Sequence, residues 1–246
     1  MKKVGISAIL LLVAFTGSAL AQVTVYLAGD STCAAKLPEK RPETGWGEMM
    51  QQYFEPAKVI IANHAQNGRS TKTFISEGRW QAIVDKLRVG DWVFVQFGHN
   101  DSAKEKGERY TPPDAYRVNL LRFIADVKAK HANIVLLTPV MRRRFDSEGK
   151  FFDTHGEYPD IVRAVAKGQK VALIDMHRKS EALIKSYGVE GSRALFLQLK
   201  PGENPNYPNG IEDNTHFIAK GANAMAKLVI DGILENKLKL RKYLKK

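Results

Sequence analysis

Short apolar runs recur along the chain, with longer stretches of helical spacing between them. The runs Val23–Ala28, Val59–Ala62, Trp92–Phe97, Ile134–Thr138 and Val171–Ile174 are near-continuous and rich in β-branched residues. Strands covered on both faces have this pattern. Apolar positions three and four apart predict helices near Gly45–Phe54, Thr71–Leu87, Pro112–Lys130, Tyr158–Lys167 and Lys179–Tyr187, and a last one from about Phe217 to Asn236. Thr111-Pro112-Pro113-Asp114 supplies a cap, prolines for the first turn and an early carboxylate. Alternating strands and helices predict an α/β fold in which helices cover both faces of a parallel sheet. With no internal repeat, linker or low-complexity segment, residues 22–246 are expected to form one domain.

Two stretches break the periodicity. Ser102–Thr111 is polar and charged, and Leu199–Thr215 is interrupted by Pro201, Pro205, Pro208 and the Asn209-Gly210 turn signal. A third departure is at the start. Lys2 and Lys3 precede the unbroken apolar run Ile9–Phe15, and Ala19-Leu20-Ala21 has the small-x-small form of a cleavage site. This predicts a secretory signal peptide over residues 1–21, too short to span a bilayer, and a periplasmic or secreted product. Cleavage after Ala21 leaves 246 − 21 = 225 residues, and no later run is long enough to cross a membrane.

Composition narrows the partners without naming one. The 38 Lys and Arg against 26 Asp and Glu give a formal charge of +12, or +10 after loss of Lys2 and Lys3. An exported basic chain suits anionic lipid, nucleic acid or acidic polysaccharide. No nucleic-acid-binding motif accompanies the charge. Cys33 is the only cysteine, which excludes an intramolecular disulfide. It is expected to be a small buried side chain. His64, His131, His155 and His177 have no metal-ligand spacing and are expected to be structural or exposed.

Ligands of an open parallel sheet bind beyond the carboxyl ends of its strands. Asp30-Ser31 follows the first run, Asn67-Gly68 the second and Gly98-His99-Asn100 the third. Alone, each reads equally well as a turn or cap. Together with "DNTH" before the last helix, the blocks "GDST", "NHAQNGRST" and "GHND" resemble the four blocks of the SGNH hydrolases, most closely the rhamnogalacturonan acetylesterase branch. The resemblance spans nearly the whole chain from Gly29 to the last helix. It implies a three-layer α/β/α, flavodoxin-like fold and ester hydrolysis without metal or other cofactor, acting on acetylated pectin.

The residues agree with that chemistry. A serine nucleophile needs a base, and the base needs an orienting partner. Asp213 and His216, three apart, can place a carboxylate on one imidazole nitrogen while the other faces Ser31. The family pattern puts oxyanion donors at the backbone N–H of Ser31, the backbone N–H of Gly68 and the side chain of Asn100. Arg142, Arg143 and Arg144 follow the fourth strand and are candidate partners for galacturonate carboxylates, against the plainer reading of a solvated charge run. His99 is expected to position its loop, and Asp30 to serve the turn. The basic tail Lys237–Lys246 reads as a helix end. Two other functions remain open at this point: an esterase or lysophospholipase on a lipid acyl group, and a non-catalytic polysaccharide-binding protein on the same scaffold.

Overall fold

The structure, a computed structural model, describes residues 22–245; the predicted signal peptide lies outside them. All five apolar runs are strands: β1 (Val23–Gly29), β3 (Val59–Asn63), β4 (Trp92–Gln96), β5 (Asn133–Leu137) and β6 (Ala172–Ile174). They pair in parallel in the order β3-β1-β4-β5-β6. Counted along the chain this is the 2-1-3-4-5 order of flavodoxin-like sheets.

The two-residue period of a strand divides the core in two. Val25, Leu27, Trp92, Phe94, Val135 and Leu137 face one layer, while Tyr26, Ala28, Val93, Val95, Ile134 and Leu136 face the other. The second layer contains α1 (Thr71–Ser76), α2 (Arg79–Val84), α3 (Pro113–Ala129) and α4 (Tyr158–Gln169). The first contains α5 (Met176–Gly191) and α6 (Ala219–Glu235). Burying a large aliphatic or aromatic side chain stabilises by about 1.5–3 kcal/mol. β1, β4 and β5 each contribute several, so the sheet is a rigid base for the loops at its carboxyl edge.

The helices depart from expectation in three places. The helix expected over Thr71–Leu87 is two, because Gly78 adopts φ +70°, a left-handed conformation that ends one helix before the next begins. Gly45–Phe54 forms two short 3₁₀ turns instead of an α-helix. The basic tail leaves α6 and makes a separate 3₁₀ turn, with Leu240 buried and backbone bonds to Tyr53 and Glu55.

A second sheet was not anticipated. β2 (Glu43–Thr44), β7 (Phe196–Leu199) and β8 (Ile211–Ile218) pair antiparallel in the order β2-β8-β7. Residues 211–215, expected to be irregular, are therefore strand. This small sheet carries Asp213 and His216 to the carboxyl edge of the large one.

Candidate active site

Ser31 lies in the turn after β1, shaped by its neighbours. Asp30 Oδ1 accepts hydrogen bonds from the backbone N–H and the hydroxyl of Thr32, 2.9 and 2.8 Å away. These bonds close a tight turn that turns Ser31 outward while Asp30 and Thr32 stay buried. Cys33 is buried as well, and burial pushes its thiol well above the usual range.

β8 completes the constellation. Ser31 Oγ and His216 Nε2 are 2.8 Å apart, and His216 Nδ1 lies 2.6 Å from Asp213 Oδ2. Asp213 Oδ1 accepts the backbone N–H of Thr215 at 2.7 Å and of His216 at 3.0 Å. Burial acts to raise the Asp213 carboxyl. The hydrogen bond and charge of His216, with those two N–H groups, outweigh it and hold the carboxyl below its usual range. An ionised Asp213 fixes the proton on Nδ1, which leaves the Nε2 lone pair toward the serine hydroxyl.

Around Ser31 the expected oxyanion donors converge. Gly68 has φ +74°, and a Cβ there would stand 3.1 Å from the guanidinium of Arg109. The backbone N–H groups of Ser31 and Gly68 meet no internal acceptor among the described residues. Asn100 donates from Nδ2 to the carbonyl of Arg69 at 3.0 Å, which fixes its amide and leaves the second hydrogen for the cleft. Ser31, Gly68, Asn100 and His216 line one open cleft of about 380 Å³, together with Lys40, Lys106 and Arg109.

Sequence reading missed Lys36 and Glu43. The Lys36 ammonium is wholly buried beneath the nucleophile turn and pairs with Glu43 at 2.8 Å. It donates to the Ser31 carbonyl at 2.5 Å and to Asn67 Oδ1 at 2.8 Å, tying the serine turn to the Gly68 loop. Glu43 is also 4.0 Å from His216 Nε2. A lysine two residues before a proline, in a polar loop, carries no periodic signal that it will be buried.

The three arginines separate. Arg143 is buried and saturated: it donates to Ser192 Oγ (3.0 Å), Asn214 Oδ1 (2.9 Å) and the Val189 carbonyl (2.5 Å). It anchors the loop to β8 and α5 and does not face solvent, contrary to its expected substrate role. Arg142 donates to the His99 carbonyl and to Thr154 Oγ1, so it is largely structural too. Arg144 alone is exposed, and its guanidinium makes no hydrogen bond or ion pair among the described residues.

His99 pairs with Asp30 at 3.2 Å, both buried. Asp153, His155 and His177 form the one group of three with metal-ligating atoms in mutual reach among the described residues. Their hydrogen bonding reads otherwise. Arg163 Nη2 donates to His177 Nδ1 at 3.3 Å, which leaves the proton on Nε2, facing Asp153 Oδ2 at 3.2 Å. His155 Nδ1 is 2.7 Å from Asp153 Oδ1, and burial lowers its pKa to about 3, so the ring is neutral. The Asp153 carboxylate is thus held by the His155 N–H on one oxygen, with His177 Nε2 close to the other but not hydrogen-bonded to it.

Comparison with known proteins agrees with this geometry. The chain is 45% identical over 222 residues to the rhamnogalacturonan acetylesterase RhgT of Bacillus subtilis, covering 90% of this chain and 94% of that one. It is 40% identical over 212 residues to the probable rhamnogalacturonan acetylesterase YesY of the same organism, covering 86% and 92%. The crystal structure of B. subtilis YxiM superposes with a TM-score of 0.75 at 28% identity; the match spans 89% of this chain but only 58% of that one. Residues 27–223 match the GDSL-like lipase/acylhydrolase family. A serine after the first strand, an Asp–His pair before the last helix and that match together place this chain in the GDSL-like lipase/acylhydrolase family.

Proposed function

We propose that the chain is a serine-dependent carbohydrate O-acetylesterase that removes acetyl groups from pectic rhamnogalacturonan. One observation carries the chemistry: the unbroken chain of short contacts from Ser31 Oγ through His216 to Asp213. In this reading His216 takes the hydroxyl proton as Ser31 attacks the acetyl carbonyl. The developing oxyanion meets the N–H groups of Ser31 and Gly68 and the amide of Asn100, each such donor lowering the barrier by about 3 kcal/mol. His216 then returns the proton to the departing sugar hydroxyl, and water releases acetate by the same path. Asp213 keeps the imidazole in the required tautomer throughout.

The substrate assignment is supported by the two Bacillus relatives and by the character of the cleft. Lys40, Lys106 and Arg109 at its walls suit an anionic polymer. A lysophospholipase would need a long apolar slot, and here Leu197, Ile211 and the ring of Tyr207 stand among ten polar, charged or glycine residues. The signal peptide expected over residues 1–21 supports export to the periplasm or beyond. N-terminal sequencing of the exported protein is expected to begin at Gln22.

The test is acetate release from acetylated rhamnogalacturonan, homogalacturonan and xylan, measured side by side. Rhamnogalacturonan is expected to be the best substrate, and Ser31→Ala to abolish turnover of all three with folding intact. Near-normal turnover by folded Ser31→Ala protein would overturn the mechanism. Preference for a long-chain acyl ester would overturn the substrate class.

A further inference from the structure

A second cleft, of about 510 Å³, adjoins the one containing Ser31 and shares Lys106 with it. Thr215, between Asp213 and His216 on β8, forms part of its wall. The remaining walls come in equal parts from the loop after β4, with Glu105 and Lys106, and the loop after β5, where Arg142, Arg144, Phe152 and Thr154 lie.

That loop is built to hold one arginine and one aromatic ring in place. Phe145 and Phe151 form an isolated antiparallel bridge with their rings stacked edge-to-face, centroids 5.1 Å apart. Asp146 Oδ1 accepts the backbone N–H groups of Glu148 and Lys150 and closes the tip. Arg143 pins the base to the main body, and its backbone N–H bonds the Asn214 carbonyl of β8 at 2.8 Å. Arg142 ties the same segment to the loop after β4 through the His99 carbonyl. Two of three consecutive arginines are therefore spent on scaffold. The third stands next to Phe152, whose backbone N–H bonds the Arg144 carbonyl at 3.1 Å.

Phe152 is 44% exposed, although a phenylalanine is ordinarily drawn inward and its neighbours Phe145 and Phe151 are packed against the core. An exposed ring beside an unpaired guanidinium and the Lys106 ammonium presents two kinds of recognition at once. The flat face suits the C–H face of a pyranose, and the cations suit a carboxylate on that ring. Glu105 is the acidic residue on the wall, so cations outnumber it.

We propose that this cleft is a subsite for a uronate residue of the substrate polymer, with Phe152 as the platform and Arg144 and Lys106 as carboxylate partners. The proposal rests on the polysaccharide reading above and extends it. It places an acidic sugar beside the acetylated one and makes remote binding energy available to the reacting centre. The shared backbone link to Asn214 holds the subsite in register with β8.

Calorimetric titration of the Ser31→Ala protein tests it, with a galacturonic acid hexamer, a neutral xylose hexamer and polyglutamate as the three ligands. The galacturonate oligomer is expected to bind at least tenfold more tightly than either other ligand. Arg144→Gln and Phe152→Ala are each expected to weaken that binding five- to twentyfold. Both sites are on the surface, and thermal unfolding checks that both variants fold. Equal affinity for polyglutamate would overturn the proposal in favour of plain charge attraction, and unchanged binding in both variants would place the sugar elsewhere. Acetate release by the protein with Ser31 intact is read separately. Uronate binding without hydrolysis would uphold the subsite while sinking the esterase reading, and hydrolysis without uronate selectivity would do the reverse.

Discussion

Asp30 and Asp213 each hold the Nδ1 of a histidine, His99 and His216, at the same edge of the molecule, yet the two pairs have different surroundings. The first is sealed, with side-chain exposures of 0% for Asp30 and 4% for His99. The second is open, at 23% for Asp213 and 26% for His216. The far nitrogens differ accordingly. His216 Nε2 reaches the Ser31 hydroxyl, whereas His99 Nε2 is buried with no partner. Burial lowers the His99 pKa, so its ring cannot readily accept a proton in a catalytic step. The same two groups thus have two roles. In the sealed pair the carboxylate is a structural post for the turn that carries Ser31, and in the open one, on the proposed mechanism, it serves a base.

Removing each histidine separates the roles, and the largest effect is expected at His216. His216→Ala should lower kcat by roughly 10⁶-fold, as loss of the general base does where nucleophile and base act as a unit. Its unfolding free energy should change little, because the side chain is partly exposed. His99→Ala should do the opposite, leaving Asp30 buried without its partner and destabilising by about 3–5 kcal/mol. Turnover per folded molecule should persist. Denaturant unfolding and kcat, measured on both variants, decide the matter. Full stability with lost turnover in His99→Ala would erase the distinction. Asp213→Asn should lower kcat by about 10⁴-fold, since an amide does not hold the imidazole in the required tautomer.

Much of this site was legible because its residues lie at the ends of strongly patterned elements. The apolar runs ending at Ala28, Ala62 and Phe97 located the turns of Ser31, Gly68 and Asn100. β8 was not legible. Its sequence, Ile211-Glu-Asp-Asn-Thr-His-Phe-Ile218, spends most of its positions on the site and on surface contacts, so it has no apolar run. β2 has only two residues, and its partners are remote in sequence. The arginine run shows the same limit: charge was visible, but not that Arg143 would be buried by Ser192, Asn214 and Val189. Buried polar residues such as Lys36 owe their place to partners from several segments, and no local pattern records those.

Lys36 sharpens the comparison from beneath. Its ammonium neutralises Glu43 beside the open pair and holds the Ser31 carbonyl and Asn67 together. Lys36→Met removes charge-assisted bonds worth about 1.5–3 kcal/mol. It should lower kcat by roughly 10–100-fold, as those energies convert, with KM nearly unchanged. A positioning role also has a signature that simple damage lacks. Lys36→Met leaves Glu43 unpaired 4.0 Å from His216, and combining it with Glu43→Gln removes that charge, so the double variant should recover part of the lost kcat. A double variant no better than the single one would reduce Lys36 to packing.

The smallest expected effect contrasts Asp30 with another sealed carboxyl, Asp101. Burial acts to raise the Asp30 carboxyl, but His99 and Thr32 outweigh it and bring its pKa down to about 2. Burial dominates at Asp101, whose pKa rises to about 7 even though Oδ1 accepts the Thr71 N–H and hydroxyl; Oδ2 is buried without a partner. In the unfolded chain both titrate near 4. Asp30 therefore contributes stability that is present above pH 4 and lost as pH falls toward 2, about 2 kcal/mol in all. Asp101 acts with the opposite sign. Between pH 4 and 7 the unfolded chain has released a proton that the native state keeps, so stability falls as pH rises through that window. Other groups titrate there too, so the measurement is a difference from the parent protein. Against the parent, Asp101→Asn should gain in relative melting temperature from pH 4 to pH 7. Asp30→Asn should show a constant deficit over that range that closes only below pH 4. A flat difference for Asp101→Asn across pH 4–7 would mean that the native carboxyl is ionised there, and burial alone would no longer explain how the two sites differ.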